Sequence, residues 1–495
     1  MQLSVATILK ESAVRHPDRT AVVDGGVRVS YRALWLDVMR FAARLRDHGV
    51  GPGDRVALLL PNTADFPRAY YAVLAAGGTV VPVHGLLVAD EVAYVLRHSG
   101  CRTVVTAPGP LAAVAEAAAA GAGADVLRVT TDGEPLERAV PRGAEDTAVI
   151  LYTSGTTGRP KGALLTHANL VMNASVCAQD LFALTPEDVV LGCLPLFHSF
   201  GQSCAMNAAL RAGSALVLCE RFAGPDALVL MIRERVSVFM GVPTMYHALT
   251  EAVERGAAPP RSLRMAVSGG AALPTALLER FEAALGTVVL EGYGLTETSP
   301  AALFNHPVTG RRPGTVGHPV WGVEAAVADP DAEDRVVLLP AGEVGEVVLR
   351  GHNVFAGYLD DPEATAAAVV DGWFRTGDLG VHDADGFLTI VDRKKDLIIR
   401  GGFNVYPREV EETLARHPSV ARVSVLGLPD ETRGEEICAA VVLRPGAADT
   451  PQDIVAWARE HLGKHKYPRV VRLFDELPLG PSGKVLKREL KEACA

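Results

Sequence analysis

The segment Tyr152-Thr-Ser-Gly-Thr-Thr-Gly-Arg-Pro-Lys-Gly162 carries hydroxyl side chains, three glycines and one lysine directly after the apolar run that begins at Ala148. The apolar run predicts a buried strand, and the glycines allow the next loop to turn its backbone N–H groups inward. Hydroxyl donors and the mobile ammonium of Lys161 complete a set of groups that suits a polyphosphate. The segment therefore predicts a strand that ends in a phosphate-binding loop.

The spacing in this loop differs from that of the common nucleotide-triphosphatase loop. Arg159 and Pro160 precede Lys161, where that loop requires a glycine directly before the lysine. Gly162 follows the lysine, where a magnesium-binding hydroxyl would be required. A kinase or GTPase of that type is therefore disfavoured. Taken alone, the segment is also compatible with a flexible Ser/Thr/Gly linker.

Length, composition and charge set wider bounds. The chain has 495 residues, of which 48% are hydrophobic, and this predicts two or more folded domains. A net charge of −10 disfavours general nucleic-acid binding, so no nucleic-acid partner is expected. No run of about 18 apolar residues occurs, so we expect no membrane span. The seven cysteines form no Cys-x2-Cys pair, which favours free thiols in a reducing compartment and predicts a cytoplasmic location.

The residue pattern changes character along the chain. Between Val56 and Leu290, short β-branched runs alternate with helical spacings, which predicts parallel sheets flanked by helices. The predicted strands are 56–60, 79–83, 215–218, 236–240 and 265–268, and the predicted helices are 64–76, 202–212, 225–235 and 274–285. Beyond about residue 320, hairpin patterns such as 345–350 and 386–391 predict a β-rich subdomain.

The predicted fold class is therefore α/β plus α+β. A large N-terminal domain of parallel sheets flanked by helices, with a β-rich subdomain, is predicted over residues 1–392. A charged step, Asp392-Arg-Lys-Lys-Asp396, then leads into a small C-terminal α+β domain over residues 393–495. Its predicted elements are helices at 407–416 and 452–462 and strands at 423–426 and 437–443.

Further motifs follow the phosphate loop in a fixed order. They are Cys193-Leu-Pro-Leu-Phe-His-Ser-Phe-Gly201, Ser268-Gly-Gly-Ala-Ala-Leu273, Glu291-Gly-Tyr-Gly-Leu-Thr-Glu-Thr298, Trp373-Phe-Arg-Thr-Gly-Asp378, Asp392-Arg-Lys-Lys-Asp-Leu-Ile-Ile-Arg-Gly-Gly402 and Pro481-Ser-Gly-Lys484. In this order the set resembles the acyl-adenylate-forming superfamily of acyl-CoA synthetases, luciferases and peptide-synthetase adenylation domains. The resemblance covers nearly the whole chain. It implies an AMP-forming acid–thiol ligase that uses ATP, Mg²⁺ and CoA.

The chemistry of that reaction explains why such motifs are needed. A carboxylate resists nucleophilic attack, and a mixed anhydride with AMP gives its carbon a good leaving group. The first half-reaction therefore needs ATP, a divalent metal and charge stabilisation at the phosphoryl group. The second half-reaction needs a thiol acceptor.

The resemblance implies the nucleotide contacts. Tyr293 would present its ring to adenine, and Asp378 would accept the ribose hydroxyls with Arg393 approaching the same sugar. The full set of implied ATP-binding residues is Thr153, Ser154, Gly155, Thr156, Thr157, Gly158, Lys161, Ser268, Gly269, Gly270, Ala271, Glu291, Gly292, Tyr293, Gly294, Asp378 and Arg393. Taken singly, Asp378 is equally a turn former after Gly377.

The resemblance also implies the reacting groups, which are Lys484, Thr296, Glu297 and His198. Thr296 would reach the α-phosphate, and Glu297 would hold Mg²⁺ through its carboxylate oxygens. Lys484 would bind the carboxylate and the α-phosphate during adenylation. His198 would line the carboxylate site, although a hydrogen-bonded core histidine is a competing interpretation.

Lys484 lies in the smaller domain, so the site is expected to be shared between a fixed and a mobile domain. The resemblance implies a hinge at Lys395 and a swing of the small domain after adenylation. It also implies that a face near Gly401 and Gly402 then admits the thiol of CoA. The charge of Arg400 separately predicts a contact with the phosphates of CoA.

The implied acyl pocket is apolar. Its residues are His198, Phe200, Val242, Met245, Ala271 and Gly294. No lysine or arginine in these segments is placed to hold a second carboxylate, which predicts a hydrophobic monocarboxylic acid, fatty or aromatic.

Several alternatives stay open at this point. The acyl group is transferred either to CoA or to a separate carrier protein. The oligomeric state is also open, with a homodimer as one candidate. An alternative from a different functional class is a non-catalytic acyl-nucleotide binding protein. The presence of Lys161, Glu297, Asp378 and Lys484 speaks against the non-catalytic alternative.

Overall fold

The computed structural model describes residues 2–153, 160–430, 432–480 and 485–494 of the chain. In chain order its α-helices are α1 (Ala6–Arg15), α2 (Tyr31–Asp47), α3 (Asp65–Ala75), α4 (Ala89–Ser99), α5 (Pro110–Ala122), α6 (His167–Val176), α7 (Ala208–Ala212), α8 (Gly224–Glu234), α9 (Pro243–Glu254), α10 (Thr275–Leu285), α11 (Pro362–Ala368), α12 (Pro407–Leu414), α13 (Pro451–His461) and α14 (Lys487–Cys494). Segments Cys177–Leu181 and Phe200–Asn207 are π-helical, and Thr296–Thr298 and Lys394–Asp396 are 3₁₀ turns.

The strands of the first two sheets include the predicted parallel strands. In chain order the strands are β1 (Thr20–Asp24), β2 (Val27–Ser30), β3 (Arg55–Leu59), β4 (Thr79–Pro82), β5 (Thr103–Thr106), β6 (Asp125–Arg128), β7 (Thr147–Thr153), β8 (Lys161–Thr166), β9 (Val189–Gly192), β10 (Ala215–Leu218), β11 (Val238–Gly241), β12 (Met265–Ser268), β13 (Val289–Gly294), β14 (Ala301–Phe304) and β15 (His318–Pro319). The later strands are β16 (Val323–Ala328), β17 (Gly345–Gly351), β18 (Gly357–Tyr358), β19 (Val369–Val370), β20 (Trp373–His382), β21 (Leu388–Arg393), β22 (Ile398–Arg400), β23 (Phe403–Val405), β24 (Val420–Asp430), β25 (Gly434–Leu443) and β26 (Val470–Leu473).

The first sheet has the order β18-β8-β7-β4-β3-β5-β6 and is parallel from β7 to β6. The apolar runs of β3, β4 and β7 are almost fully buried, as expected for parallel strands covered on both faces. At one edge β8 returns antiparallel to β7, so that Lys161 and Thr153, which flank the predicted phosphate-binding loop, are cross-strand partners. The short strand β18 then pairs antiparallel with β8. This edge brings residues 357–358 beside the lysine.

The second sheet has the order β15-β14-β13-β12-β11-β9-β10-β1-β2 and is parallel from β13 to β1. Its helices cover both faces, and residues of both large sheets share the principal hydrophobic core. This arrangement confirms the predicted large domain of parallel sheets flanked by helices. The predicted strands 215–218 and 265–268 have the bounds of β10 and β12.

The third sheet is antiparallel, with the order β16-β17-β20-β19 and β21 beside β20. It is the predicted β-rich subdomain. A separate sheet follows, with the order β23-β22-β25-β24 and β26 parallel to β25, and it packs α12 and α13 around its own core. The chain passes from the third sheet to this small sheet between Arg393 and Ile398. Because this passage links the two sheets, we propose a domain boundary near residue 393.

Two expectations from composition can be compared with the structure. All seven cysteines are free and buried, as expected for thiols placed in apolar surroundings. Across the described ranges, none of the helices combines the length and the apolar character that crossing a bilayer requires. The predicted helix 202–212 is divided into the π-helical segment Phe200–Asn207 and α7, a detail that periodicity does not reveal.

Candidate functional site

A cavity of about 1270 Å³ lies where the carboxyl ends of strands from the two large sheets meet the third sheet. Thr153 closes β7, Ser268 closes β12, and Gly292 to Gly294 end β13, so the walls consist of strand ends and the loops after them. Ligands of open α/β sheets bind at such ends because the loops there are free to carry polar groups. The predicted site residues that line this cavity are Thr153, Lys161, His198, Phe200, Ser268, Gly269, Gly270, Gly292, Tyr293, Gly294, Thr296, Glu297, Asp378, Arg393 and Lys395.

Asp378 is the centre of one group of contacts in this cavity. The Tyr293 hydroxyl donates a hydrogen bond to Asp378 Oδ2 at 2.6 Å, and Arg393 Nε lies 3.2 Å from Asp378 Oδ1. Burial raises the pKa of the Tyr293 hydroxyl, and the neighbouring carboxylate raises it further, so the phenol stays a donor. The register of β20 and β21 explains the ion pair, because Asp378 and Arg393 are direct cross-strand partners.

The turn that carries Asp378 is held by a buried ion pair. Arg375 donates two hydrogen bonds to Glu346 Oε2, at 3.0 and 2.7 Å, and the Gly377 N–H donates to Glu346 Oε1 at 3.0 Å. Gly377 has φ +71°, a conformation that other residues rarely adopt. The Asp378 carboxylate is thus presented from a rigid support.

Glu297 is buried in the 3₁₀ turn beside Thr296. The Tyr358 hydroxyl donates to Glu297 Oε1 at 2.9 Å, and the Phe355 N–H donates to the Glu297 carbonyl at 2.9 Å. Burial raises the pKa of the Glu297 carboxyl, and the Tyr358 donor opposes that rise. A buried carboxylate that faces a large polar cavity is typical of a group with a ligand to meet.

Lys161 lines the same cavity from the first residue of β8. Its Nζ lies 3.2 Å from Asp361 Oδ2 and 5.3 Å from the centroid of the Tyr358 ring. Asp361 Oδ1 accepts from the Ala364 N–H at 2.9 Å and so caps α11. The pKa of Asp361 is lowered, by this backbone hydrogen bond first and by Lys161 next. The ammonium is therefore held by a carboxylate at the part of the cavity that Thr153 and Pro160 also line.

Small polar groups line the wall formed by the second sheet. Within the described parts of the chain, the buried Ser268 Oγ has no hydrogen-bond partner. A buried hydroxyl without a partner at the edge of a cavity is suited to a ligand's polar atom. The Phe200 ring lies against the next residue, Gly269, where an added Cβ would come within 3.2 Å of it.

His198 stands where the first sheet meets the second. Its Nδ1 accepts from the Phe200 N–H at 3.3 Å, and its carbonyl accepts from Gln202 at 2.9 Å as the π-helical segment begins. Gly201 follows in a place where a Cβ would lie 2.3 Å from the Pro195 carbonyl oxygen, so only glycine fits. This close approach keeps the histidine at the cavity wall.

Part of the cavity wall is apolar. Its residues include Leu181, Phe182, Cys204 and Phe304, which belong to one hydrophobic core. The rings of Phe182 and Phe304 meet edge to face, with centroids 5.6 Å apart, and both side chains are almost fully buried. The charged residues that line the cavity come from other segments, namely Lys161, Glu297 and the region 333–395. The cavity therefore joins a polar part to an apolar part.

Four of the described residues that were predicted for the ATP site and the acyl pocket are not among those that line the cavity. Val242 and Met245 pack into the hydrophobic cores, and Ala271 is exposed on the loop after β12. Glu291 is buried behind the wall, where its carboxylate accepts from the Gly314 N–H at 3.1 Å. Burial raises the pKa of Glu291 to about 7. The geometry favours supporting roles for these residues over direct contact with a ligand.

The residues predicted to meet CoA lie away from the cavity. Arg400 forms a buried bidentate ion pair with Glu436, with nitrogen–oxygen distances of 2.6 and 2.9 Å. This pairing argues against the prediction that Arg400 holds a CoA phosphate, because the guanidinium already has a carboxylate partner. Gly401 and Gly402 form an exposed turn between Ile399 and Phe403, whose side chains are 54% and 59% exposed. The remaining predicted residues, Ser154 to Gly158 and Lys484, lie outside the described residues.

Comparison with known proteins gives a family. Residues 9–359 match the AMP-binding enzyme family, and residues 409–484 match the AMP-binding enzyme C-terminal domain. The chain belongs to the AMP-binding enzyme family. This AMP-binding enzyme is 34% identical to a long-chain-fatty-acid–CoA ligase of Bacillus subtilis (strain 168), over 99% of the chain and 94% of the relative. It is 38% identical to a feruloyl-CoA synthase of an Amycolatopsis species, over 96% of both chains.

A solved structure supports the same conclusion. The crystal structure of ATP-bound MatB from Rhodopseudomonas palustris superimposes on the AMP-binding enzyme with a TM-score of 0.92 at 34% identity, covering 100% of the chain and 99% of MatB. The resemblance to the adenylate-forming superfamily and the predicted fold class are thereby confirmed. The expectation of an ATP-dependent, AMP-forming acid–thiol ligase is confirmed at the level of the family.

Some residues of this AMP-binding enzyme were missed at the level of sequence. Tyr358, Asp361 and the Phe182–Phe304 pair contact predicted residues or line the cavity, yet none belongs to the motifs considered above. One signal for Asp361 was available, because an aspartate directly before Pro362 is typical of a helix start. No local pattern points to Phe182 or Phe304, since buried aromatics usually serve a core.

Proposed function

We propose that this AMP-binding enzyme converts a hydrophobic monocarboxylic acid, fatty or aromatic, to an acyl-AMP with ATP and then to an acyl-CoA. The single observation that carries the proposal is one cavity whose lining combines Asp378, Glu297 and Lys161 with apolar side chains such as Phe182 and Phe304. The polar part suits a nucleotide, and the apolar part suits an uncharged acyl group. The names of the two curated relatives, a fatty-acid ligase and a feruloyl-CoA synthase, agree with an apolar acid.

In the first half-reaction the acid's carboxylate attacks the α-phosphorus of ATP, and pyrophosphate leaves. Asp378 accepts the ribose hydroxyls while Arg393 stays beside it, and Lys161 exchanges Asp361 for the terminal phosphates. Each of these contacts positions a charged side chain before the reaction begins, so little reorganisation is needed in the transition state. Thr296 contacts the α-phosphate, and His198 lines the wall near the acid's carboxylate.

Mg²⁺ is the metal that this reaction requires, and the donors present fit it. Glu297 offers a buried carboxylate beside a hydroxyl, and within the described ranges no cluster of three or more His, Cys, Asp or Glu residues is placed to hold a metal. Mg²⁺ is commonly held by one or two carboxylates together with substrate phosphates. When bound, the ion neutralises the charge of the phosphate oxygens.

In the second half-reaction a thiol attacks the acyl carbon and AMP leaves. The Gly401–Gly402 turn is exposed, and the flanking Ile399 and Phe403 are 54% and 59% exposed. We propose that the small domain turns at Lys395 and brings this turn to the cavity. Lys395 suits the role because it lines the cavity and lies in the 3₁₀ turn between the third sheet and the small sheet.

The test is a pair of assays on the purified chain. Acid-dependent exchange of labelled pyrophosphate into ATP is measured across fatty and aromatic acids, with a dicarboxylic acid and an amino acid as controls. We expect exchange with apolar acids, and then formation of acyl-CoA when CoA is added. Absence of exchange with every acid would support a non-catalytic binding protein. If pyrophosphate exchange occurs and no acyl-CoA forms, but a phosphopantetheinylated carrier is acylated, the thiol acceptor is a carrier protein and not CoA.

A further inference from the structure

One short segment, residues 355–361, contacts two of the charged side chains that line the cavity, Glu297 and Lys161. The Tyr358 hydroxyl reaches Glu297 Oε1, and the Asp361 carboxylate reaches Lys161. The same segment also holds the backbone at Glu297, because the Phe355 N–H donates to the Glu297 carbonyl. The main chain and the side chain of Glu297 are therefore fixed by one neighbouring piece of chain.

Tyr358 itself is held on three sides. Its backbone pairs with Ala163 in the β18–β8 ladder, and its N–H donates to Thr365 Oγ1 at 2.9 Å. Its ring meets the Phe355 ring edge to face, with centroids 4.8 Å apart. Gly357 precedes it with φ +138°, and an added Cβ there would come within 2.8 Å of Thr365. Such a fixed ring directs its hydroxyl to one place.

We propose that Tyr358 is a positioning residue, whose hydroxyl holds one oxygen of Glu297 and leaves the other oxygen aimed at the metal-bound phosphates of ATP. The inference rests on the proposed function, since it takes Glu297 as the metal-binding carboxylate. The alternative is that the hydroxyl only satisfies a buried carboxylate and serves stability. The two roles predict different effects of Mg²⁺ on the affinity for ATP.

The experiment measures ATP binding by calorimetry without any acid, so that no turnover occurs. The wild type and Tyr358→Phe are each titrated with ATP in Mg²⁺ and again with ATP in EDTA. The matched control is Tyr71→Phe, which also removes a buried phenol hydroxyl, one that donates to Asn207 Oδ1 at 2.8 Å away from the cavity lining. Thermal melting of all three proteins is recorded alongside.

We expect Mg²⁺ to tighten ATP binding in the wild type and in Tyr71→Phe. In Tyr358→Phe the gain from Mg²⁺ falls by about tenfold, because a hydrogen bond to a charged group is lost, while binding in EDTA is unchanged. In the double variant Tyr358→Phe/Glu297→Gln, Mg²⁺ should increase the affinity for ATP by the same factor as in Glu297→Gln alone. An unchanged gain from Mg²⁺ in Tyr358→Phe overturns the proposal.

Three outcomes distinguish failure of this inference from failure of the proposed function. If Tyr358→Phe fails to fold while Tyr71→Phe folds, the hydroxyl is structural and the positioning role is rejected. If the wild type lacks acid-dependent pyrophosphate exchange, the proposed function fails instead. If the wild type exchanges pyrophosphate and Tyr358→Phe keeps the full gain from Mg²⁺, only the inference about Tyr358 fails.

Discussion

Arg393 Nε lies 3.2 Å from Asp378 Oδ1, and this pair joins two neighbouring strands of the third sheet at the cavity wall. If Asp378 accepts the ribose hydroxyls, Asp378→Asn should lower kcat/KM for ATP by about tenfold or more, since hydrogen bonds to a charged group contribute ~1.5–3 kcal/mol. The asparagine still accepts from Tyr293, which limits the structural effect. Pyrophosphate exchange at varied ATP measures the change.

The control for this variant is Glu324→Gln. Glu324 pairs with Arg350 on neighbouring strands of the same sheet, but both side chains are exposed and neither lines the cavity. Its removal should leave kcat/KM for ATP unaltered. A wild-type value of kcat/KM in Asp378→Asn would remove the ribose role.

The Lys161–Asp361 pair predicts a variant that binds ATP more tightly. Asp361→Asn keeps an oxygen that caps α11 but removes the charge that competes with phosphate for Lys161. Partly exposed ion pairs contribute roughly 0.2–1 kcal/mol, so we expect the KM for ATP to fall by about two- to fivefold. Glu363→Gln removes the same charge from the same helix, at an exposed position without an observed ion pair among the described residues. A KM that rises in Asp361→Asn would mean that the aspartate orients Lys161 for binding.

The Phe182–Phe304 contact predicts what limits the length of the acid. Phe304→Ala should extend the apolar end of the cavity and shift the ratio of kcat/KM values toward longer or bulkier acids. The substitution should also destabilise the protein by about 3–5 kcal/mol, because it empties a buried site. Phe281→Ala provides the comparison, since Phe281 is equally buried but does not line the cavity. Equal shifts of acid preference in both variants would contradict a role for Phe304 in selecting the acid.

Glu291 predicts a pH dependence of stability. Burial raises the pKa of Glu291 from its ordinary value of 4.5 to about 7, so the folded protein keeps this proton after the unfolded chain has lost it. The stabilisation is complete below about pH 4.5 and is lost as pH rises through about 7, by up to about 3 kcal/mol. Glu291→Gln lacks this loss and still accepts from Gly314. The melting temperature of the wild type should therefore fall relative to that of Glu291→Gln between pH 5 and 7, and parallel curves would exclude the shift.

The control for the pH series is needed because other groups titrate in the same range. Burial lowers the pKa of His167 to about 4, so its contribution is lost as pH falls from about 6.5 toward 4, the opposite direction. This effect is common to the wild type and Glu291→Gln and cancels in the difference. Exposed Glu343→Gln should follow the wild-type curve at every pH.

The parts of the fold that sequence predicted best are those with a strong local signal. β10 and β12 are short, mainly apolar runs that follow the polar residues Ser214 and Arg264, and their bounds were predicted to the residue. The π-helical segment Phe200–Asn207 was predicted as ordinary helix, because its widened turns depend on close contacts such as that of Gly201 with Pro195. Contacts between residues that are far apart in the chain produce no periodic pattern in the sequence, so such a pattern cannot predict them.

The same difference separates the predicted site residues. Asp378 and Glu297 follow glycine-rich turns in an ordered series of motifs, and both line the cavity. Val242 was placed in the acyl pocket by resemblance alone, yet it packs into the core. Arg400 was assigned to CoA by its charge, whereas its partner Glu436 comes from a neighbouring strand whose pairing was unknown. The role of Tyr358 depends on the pairing of β18 with β8, which no local sequence pattern indicates.

Lys484 gives a prediction that separates the two half-reactions. The resemblance assigns it to the carboxylate and the α-phosphate during adenylation, and it belongs to the small domain. If that domain turns away before the thiol attacks, Lys484→Ala should lower pyrophosphate exchange by a hundredfold or more, roughly the loss of one electrostatic contact to the transition state. Thioester formation from supplied acyl-AMP should change by less than about threefold, because the lysine has then left the reacting atoms. Lys491→Ala removes the same charge from the exposed face of α14 and should leave both rates unaltered. Equal losses in the two half-reactions of Lys484→Ala would show that one arrangement of the domains serves both, and the hinge proposed at Lys395 would lose its purpose.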